Sequence, residues 1–407
     1  MIDPTDQSTP KPTMKIALAH DWLVARRGGE LVLDAIAQTL REDEHAITQI
    51  YAMFDSGASI TPAIDGLNKV VSPLNKLPQS LRRWQLFRYP GAVRDLSERL
   101  AEDHRAERLN MLISTHSAAI KALQPPEITG QTGSIPHLCY CHTPARYLWS
   151  QQGAYGTGGI KGRLRSLGLG VCTPRLRRWD RDTAKTVSQF IANSSHTAAL
   201  IKEHYDRDSV VIHPPVRTDV FTLPENDDAP QRTDTLLLVS ALEPYKRVDL
   251  AIDAAVLAGR ELLIVGTGSH EAQLRKHAQR ARKRAGSRTP IRFLGYQTDE
   301  QLVVLYQSAG AFLFPQIEDF GITAVEAQAC GCPVVARDAG GALDTVIADE
   351  HYATGAFFSE PNAEAIRDAI GRVPSDPEIA QRCRDNVLRF SEKQFADKLR
   401  EQINRWR

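Results

Sequence analysis

From residue 14 onward, short apolar runs alternate with segments whose apolar residues recur at helical spacing. KIALA (15–19) has the length and character of a buried strand, and ELVLDAIAQTL (30–40) sets Leu33, Ile36, Ala37 and Leu40 on one helical face, with Gly28 and Gly29 in the loop between them. Strand-like runs recur at ITQIYA (47–52), NMLIS (110–114), HLCYC (137–141), FIAN (190–193) and VVIH (210–213), most of them followed by helix-compatible stretches. This order predicts a parallel, doubly wound α/β sheet.

Residues 218–234 (TDVFTLPENDDAPQRTD) break the pattern and read as a polar, turn-rich linker, after which the alternation restarts. Strands are predicted at LLLVS (236–240), ELLIVG (261–266), IRFLG (291–295), AFLFP (311–315) and PVVA (333–336). Helices are predicted at RVDLAIDAAVLA (247–258), about 270–285, DEQLVVLYQSA (299–309) and ITAVEAQAC (322–330). The chain therefore divides into a lead-in (1–13), a first βα domain (14–217), the linker (218–234), a second βα domain (235–374) and terminal helices (375–407). Two such domains create a cleft at their strand ends, where parallel sheets bind ligands.

Composition narrows the classes. The 407 residues carry 50 Lys+Arg against 49 Asp+Glu, a formal net charge of +1, and 42% are hydrophobic. This excludes global disorder and a surface given over wholly to nucleic acid. The polar residues 1–13 lack the apolar segment of a secretory signal, and no apolar run is long enough to span a bilayer, so a cytoplasmic location is expected. The six Cys form no CxxC pair, which argues against zinc and for buried thiols.

The densest chemistry lies in Glu318-Asp319-Phe320-Gly321-Ile322-Thr323-Ala324-Val325-Glu326, which follows a strand and opens a helix. Backbone N–H groups at Gly321 and Ile322 are then unpaired, and such a terminus binds phosphate. Carboxylates before the helix and one turn inside it suit vicinal hydroxyls of a ribose or hexose. The same two acids also favour the positive end of a helix with no ligand at all.

The block 318–346 (EDFGITAVEAQACGCPVVARDAGGALDTV) resembles the Glu-x7-Glu signature of retaining GT-B glycosyltransferases of family 4, group 1. The likeness extends through HDWLVARRGGE (20–30), STHSAAIK (114–121), CYCHTPARYLW (139–149), FIANSSHTA (190–198), VVIHPPV (210–216), VSALEPYKRVDLAIDA (239–254), LLIVGTG (262–268) and RFLGYQTDEQL (292–302). Within the family it is most similar to bacterial mannosyltransferases that build surface polysaccharides from GDP-mannose.

The resemblance implies two Rossmann-like domains facing each other across a cleft. It implies transfer of a hexose, mannose first, from a nucleotide-diphosphate sugar to a saccharide or lipid-linked acceptor, with retention at the anomeric carbon and without metal or other cofactor. GDP-mannose is the first expectation for the donor and a UDP-sugar the second. Glu318 then holds hydroxyls of the transferred sugar, Glu326 holds the ribose, Phe320, Gly321 and Ile322 present backbone amides, and Lys246 pairs with the diphosphate. Gly266, Gly268 and Gly295 either let backbone approach the nucleotide or simply form turns.

The family usually has an Arg five residues before the Lys, where this chain has Ala241. Arg247 or another cation replaces it, or the protein is an impaired, binding-only homologue. In the first domain, Gly28 and Gly29 stand at a position that admits acceptor or donor phosphate, and His116 and His142 close strands that face the cleft, where they either contact substrate, His116 as a catalytic residue and His142 at the acceptor or phosphate, or are structural histidines. Arg26, Arg27 and Arg146 are either acceptor contacts or solvated loop residues.

Two Asp-x-Asp triplets, Asp180-Arg181-Asp182 and Asp206-Arg207-Asp208, follow no apolar strand and are read as chance rather than as a metal site. A dinucleotide-dependent enzyme is the remaining rival, but its G-x-G-x-x-G is missing after the first strand. Three basic segments stand at 82–94, 161–181 and 275–292, the last with eight Lys/Arg and no acid. Solvated faces explain such runs, and the cation–aromatic mixture at 82–94 also suits peripheral contact with an anionic membrane at the inner face of the cytoplasmic membrane.

Overall fold

The computed structural model describes residues 13–25, 28–82, 85–128, 133–149, 172–224 and 232–406. The chain forms two compact units. The first comprises the described residues up to Ala192, Ala198–Val211 and Lys398–Arg407, and the second Asn193–Thr197 and Ile212–Asp397.

In the first unit the strands are β1 (Lys15–Leu23), β2 (Ala46–Asp55), β3 (Lys69–Val71), β4 (Met111–His116), β5 (His137–Cys141), β6 (Gln189–Ala192) and β7 (Ser209–Val211). They lie in the order β3-β2-β1-β4-β5-β6-β7, parallel throughout. Every residue of β4 and β5 is buried, as expected for strands covered on both faces. Helix α1 (Gly28–Glu42) buries Leu33, Ile36, Ala37 and Leu40 as its periodicity predicts, but it begins at the two glycines rather than after them. Strand β1 runs on to Leu23, so His20, Asp21 and Trp22 belong to the sheet.

The second unit has β8 (Leu236–Val239), β9 (Leu262–Val265), β10 (Ile291–Gly295), β11 (Ala311–Phe314), β12 (Val334–Arg337) and β13 (Gly355–Phe358). Their order is β10-β9-β8-β11-β12-β13, again all parallel. In both sheets the chain first builds outward on one side and then returns to build on the other. The reversal lies between β1 and β4 in the first sheet and between β8 and β11 in the second, and adjacent loops diverge there to leave a crevice.

The division falls at Ile212, ahead of the polar stretch that begins at 218. Phe221 is fully buried in the second unit's core, and the Arg384 guanidinium donates to the carbonyls of Phe221 (2.8 Å) and Thr218 (2.9 Å), so this part of the linker is packed. Residues 225–231 and the lead-in up to residue 12 lie outside the described residues. Of the terminal segment 375–407, only Lys398 onward belongs to the first unit, where Leu399 and Ile403 are buried and Arg400 pairs with Glu42 (2.7 Å) and Asp43 (2.9 Å).

Candidate active site

At the reversal in the second sheet, the loop after β8 carries Lys246 and the loop after β11 carries Glu318. Lys246 Nζ donates to Glu318 Oε1, and the two side chains are only 16% and 15% exposed. The loop holding Glu318 is fixed from below, since its carbonyl accepts the Gly341 N–H at 2.8 Å. Arg247 has a left-handed backbone (φ +51°) and turns its guanidinium to Asp249 at 3.3 Å on its own helix, Val248–Ala258. Ala241, exposed in the same loop, offers no cation.

Helix Ile322–Ala329 starts at Gly321, whose φ of +95° is one L side chains rarely adopt; a Cβ there would lie 2.7 Å from the Phe314 ring. The first N–H groups of this helix have no intrahelical acceptor. The Phe320 side chain is core: it stacks on His213 (centroids 5.5 Å) and meets Phe390 edge-on (5.5 Å), so only its backbone is placed to meet a ligand. A Cβ on Gly266 would sit 1.9 Å from the Ser240 carbonyl oxygen, and one on Gly268 would sit 2.4 Å from that of Leu242. Both glycines are therefore demanded by the contact between the loops after β8 and β9, which Glu243 reinforces by accepting from Ser269 N (3.0 Å) and Oγ (2.6 Å). Gly295 ends β10 at φ +71° with open space around it, in the manner of a turn.

Glu326 lies one turn inside the helix, 3.5 Å from the Tyr306 hydroxyl. Burial pushes its carboxyl up to about 7; Arg217 pulls against this and Asp299 adds to it. Arg217 and Asp299 form a two-point pair (2.6 and 3.2 Å). Tyr306 and Arg217 lie outside the quoted motifs and Asp299 only inside RFLGYQTDEQL (292–302), and it is the packing of segments far apart along the chain that brings them to Glu326.

In the first unit the structure gathers His20, Asp21, His116, His142 and Gly29 at the β1–β4 reversal. A Cβ on Gly29 would stand 3.6 Å from both His142 Nε2 and His20 Cε1. The Asp21 carboxylate, 1% exposed, accepts the N–H groups of Ser117, Ala118 and Ala119 at 2.7 Å and of Ile120 at 2.8 Å, and lies 3.4 Å from His116 Nδ1. Burial lowers the pKa of His142 to about 3 and also lowers that of His20, which keeps both rings neutral. Asp21 lies within HDWLVARRGGE, but that motif assigns it no role; its signal was a carboxylate two residues beyond the apolar run KIALA. Arg146 opens the short helix Arg146–Trp149 beyond β5, while Arg26 and Arg27 lie outside the described residues.

Asp180 is fully buried against Lys121 (2.8 Å) and the Trp149 indole (2.7 Å), while Asp182 pairs with Lys185 at the surface. Asp206 and Asp208 both face Lys202. Among the described residues no group of His, Cys, Asp or Glu suits a metal ion, and no helix is long and apolar enough to cross a membrane.

Two Rossmann-like units of parallel strands make this a GT-B fold. The chain matches the family model described as Glycosyltransferase Family 4 over residues 26–220 and that described as Glycosyl transferases group 1 over residues 220–389, and it belongs to the group 1 glycosyltransferases. It is 36% identical over 179 residues to the D-inositol 3-phosphate glycosyltransferase of Mycolicibacterium smegmatis, which covers 40% of each chain. With the human alpha-1,3/1,6-mannosyltransferase ALG2 it shares 32% over 216 residues, 47% of this chain and 50% of that one. The chain spans about half the length of such curated relatives. Among solved structures, Anabaena HepE in complex with UDP superposes with a TM-score of 0.69 at 19% identity, covering 96% of this chain and 100% of that one.

Proposed function

We propose that the protein transfers a hexose, mannose first, from a nucleotide-diphosphate sugar held by the second unit to a saccharide or lipid-linked acceptor at the first, without a metal and with retention. The observation that carries this reading is the Lys246–Glu318 pair beside the open N-terminus of Ile322–Ala329 at the sheet reversal. A diphosphate takes Lys246 and the helix amides, which frees Glu318 for the sugar hydroxyls and leaves Glu326 to the ribose. The bond from the anomeric carbon to the phosphate oxygen breaks as the acceptor oxygen bonds to the same face, and the acceptor proton passes to the departing phosphate. Lys246 stabilises the charge that develops there. The mannosyltransferase name of the human relative supports mannose, and the UDP bound to HepE makes a UDP-sugar the second choice. A lipid-linked acceptor would put the reaction at the inner face of the cytoplasmic membrane.

A panel of GDP-, UDP- and dTDP-sugars tests the donor. GDP-mannose at about 100 times its dissociation constant is expected to add about 2.7 kcal/mol to stability and to raise the melting temperature most. No shift with any nucleotide sugar would sink the reading. Ala241, together with an Arg247 engaged by Asp249, favours one second reading, a homologue that binds without turnover. Shifts in the panel accompanied by no transfer to any acceptor would select it.

Glu326 makes donor affinity pH-dependent. Only the ionised carboxylate accepts both ribose hydroxyls, so affinity measured by calorimetry is expected to rise from about pH 6 to about pH 8, by up to about tenfold per unit below the pKa. Glu326→Gln should flatten that profile, and a flat profile in the native protein would remove Glu326 from the donor site. The same burial has the opposite effect on folding of the free protein. Stability contributed by protonated Glu326 is full below the ordinary carboxylate range and is lost as pH rises through about 7.

A further inference from the structure

Between Gly66 and Arg94 the chain has six Lys/Arg and no Asp or Glu. The first unit folds this stretch into β3, the one-turn helices Pro73–Lys76, Gln79–Arg82 and Leu86–Arg88, and the start of the helix Tyr89–Glu107. Leu74, Leu86, Tyr89 and Val93 enter the core, but Phe87 remains 61% exposed and Leu81 46%. Beside Phe87 is a cavity of about 420 Å³ walled by Pro73, Leu74, Pro90, Arg88, Arg94 and the single acid Asp95.

Arg82 has a structural task, donating to the carbonyls of Leu77 (3.0 Å) and Asn75 (2.8 Å). Lys76, Arg88 and Arg94 are exposed and make no ion pair among the described residues. Exposed aromatic and aliphatic side chains set among cations of one sign match a partner that is negative everywhere and apolar beneath, which is a lipid leaflet. Of the other two basic stretches, residues 161–171 lie outside the described residues, and the helix Glu271–Arg284 lacks this combination: it presents Lys276, Arg280 and Lys283 along one side, while Arg275 and Arg284 are paired with Glu271 (2.8 Å) and Asp253 (3.4 Å).

We propose that the surface centred on Phe87, with Lys76, Arg88 and Arg94 around it, docks the protein on an anionic lipid leaflet. This stands independently of the donor chemistry, since vesicle binding needs no nucleotide sugar.

Co-sedimentation of the full chain with vesicles of about three parts phosphatidylcholine to one part phosphatidylglycerol tests it. Binding is expected at low salt, weakened at about 0.5 M salt, and absent with phosphatidylcholine alone. The double variant Arg88→Glu/Arg94→Glu should reduce binding by about tenfold or more. Phe87→Ser should reduce it by about tenfold, as loss of a seated aromatic ring predicts. Both variants should melt with the native protein, because the altered side chains are exposed, and either one alone suffices as a test if the other fails to fold. The triple variant Lys276→Glu/Arg280→Glu/Lys283→Glu should bind as the native protein does. No binding to the anionic vesicles, which would leave the surface to a protein partner, overturns the proposal. So does binding that survives the substitutions at 87, 88 and 94, or that is lost instead in the triple variant.

Discussion

Replacing Lys246 with alanine is expected to lower glycosyl transfer by about two to three orders of magnitude, by analogy with removal of one preorganised donor facing a developing negative charge. The loss should appear in kcat more than in KM, because the charge on the diphosphate grows as the glycosidic bond breaks and Lys246 gains most at that point. Under the proposed function this chain leans on Lys246 heavily: Ala241 supplies no cation, and Arg247 is turned toward Asp249. The fold should survive, since removing the ammonium leaves Glu318 in a loop that its own carbonyl bond to Gly341 continues to hold, and its carboxylate, 15% exposed, reaches water. Steady-state kinetics with the donor chosen by the nucleotide-sugar panel, together with a melting curve, reads both outcomes. Turnover within a few-fold of the native protein would show that Lys246 does not face the leaving group.

The second large effect concerns stability. Asp21→Ala strips one acceptor from four backbone N–H groups at once, those of Ser117 through Ile120. A buried donor left without a partner costs about 1–3 kcal/mol; with the loop relaxing and water entering, a total of about 3–6 kcal/mol follows. Against a whole-domain stability of about 5–15 kcal/mol, that brings the first unit close to unfolding at room temperature. A urea or thermal melt checks it, and a loss below about 1 kcal/mol would contradict the account. The pH dependence has a definite sign. Burial works to raise the Asp21 pKa, but its hydrogen bond and electrostatic interaction with His116, and the loop amides, outweigh this and hold the carboxyl well below the usual range. The stability contributed by ionised Asp21 is therefore present above the ordinary carboxylate pKa and lost as pH falls below it.

Most elements were legible because they follow from short-range pattern. The buried face of α1, the strands β4, β5, β8 and β11 and the helix after Gly321 all stand where apolar spacing put them, and their residues are buried as that spacing requires. The exceptions are short. β3 has three residues, too few to show a period, and β13 starts on a glycine, which leaves an apolar run of three residues. Gly28 and Gly29 read as loop because glycine weakens a helix, yet at its first turn that penalty is small and they are tolerated.

Sequence alone determined the family, the two-fold βα organisation and the motif residues Lys246, Glu318, Gly321 and Glu326, since each rests on residue type and local spacing. Tertiary structure decided what those residues meet. The placing of Lys246 on Glu318 depends on β8 and β11 becoming neighbours after the chain has built β9 and β10 between them, a pairing set by sheet order. The requirement for Gly266 and Gly268 comes from a second loop's backbone. The raised pKa of Glu326 comes chiefly from its burial, with Arg217 and Asp299 acting in opposite senses, and the importance of Asp21 comes from a loop some ninety-six positions further on. Such contacts join segments far apart along the chain, and no local period records them, because they exist only once both sheets have buried their faces and fixed which strand ends lie side by side.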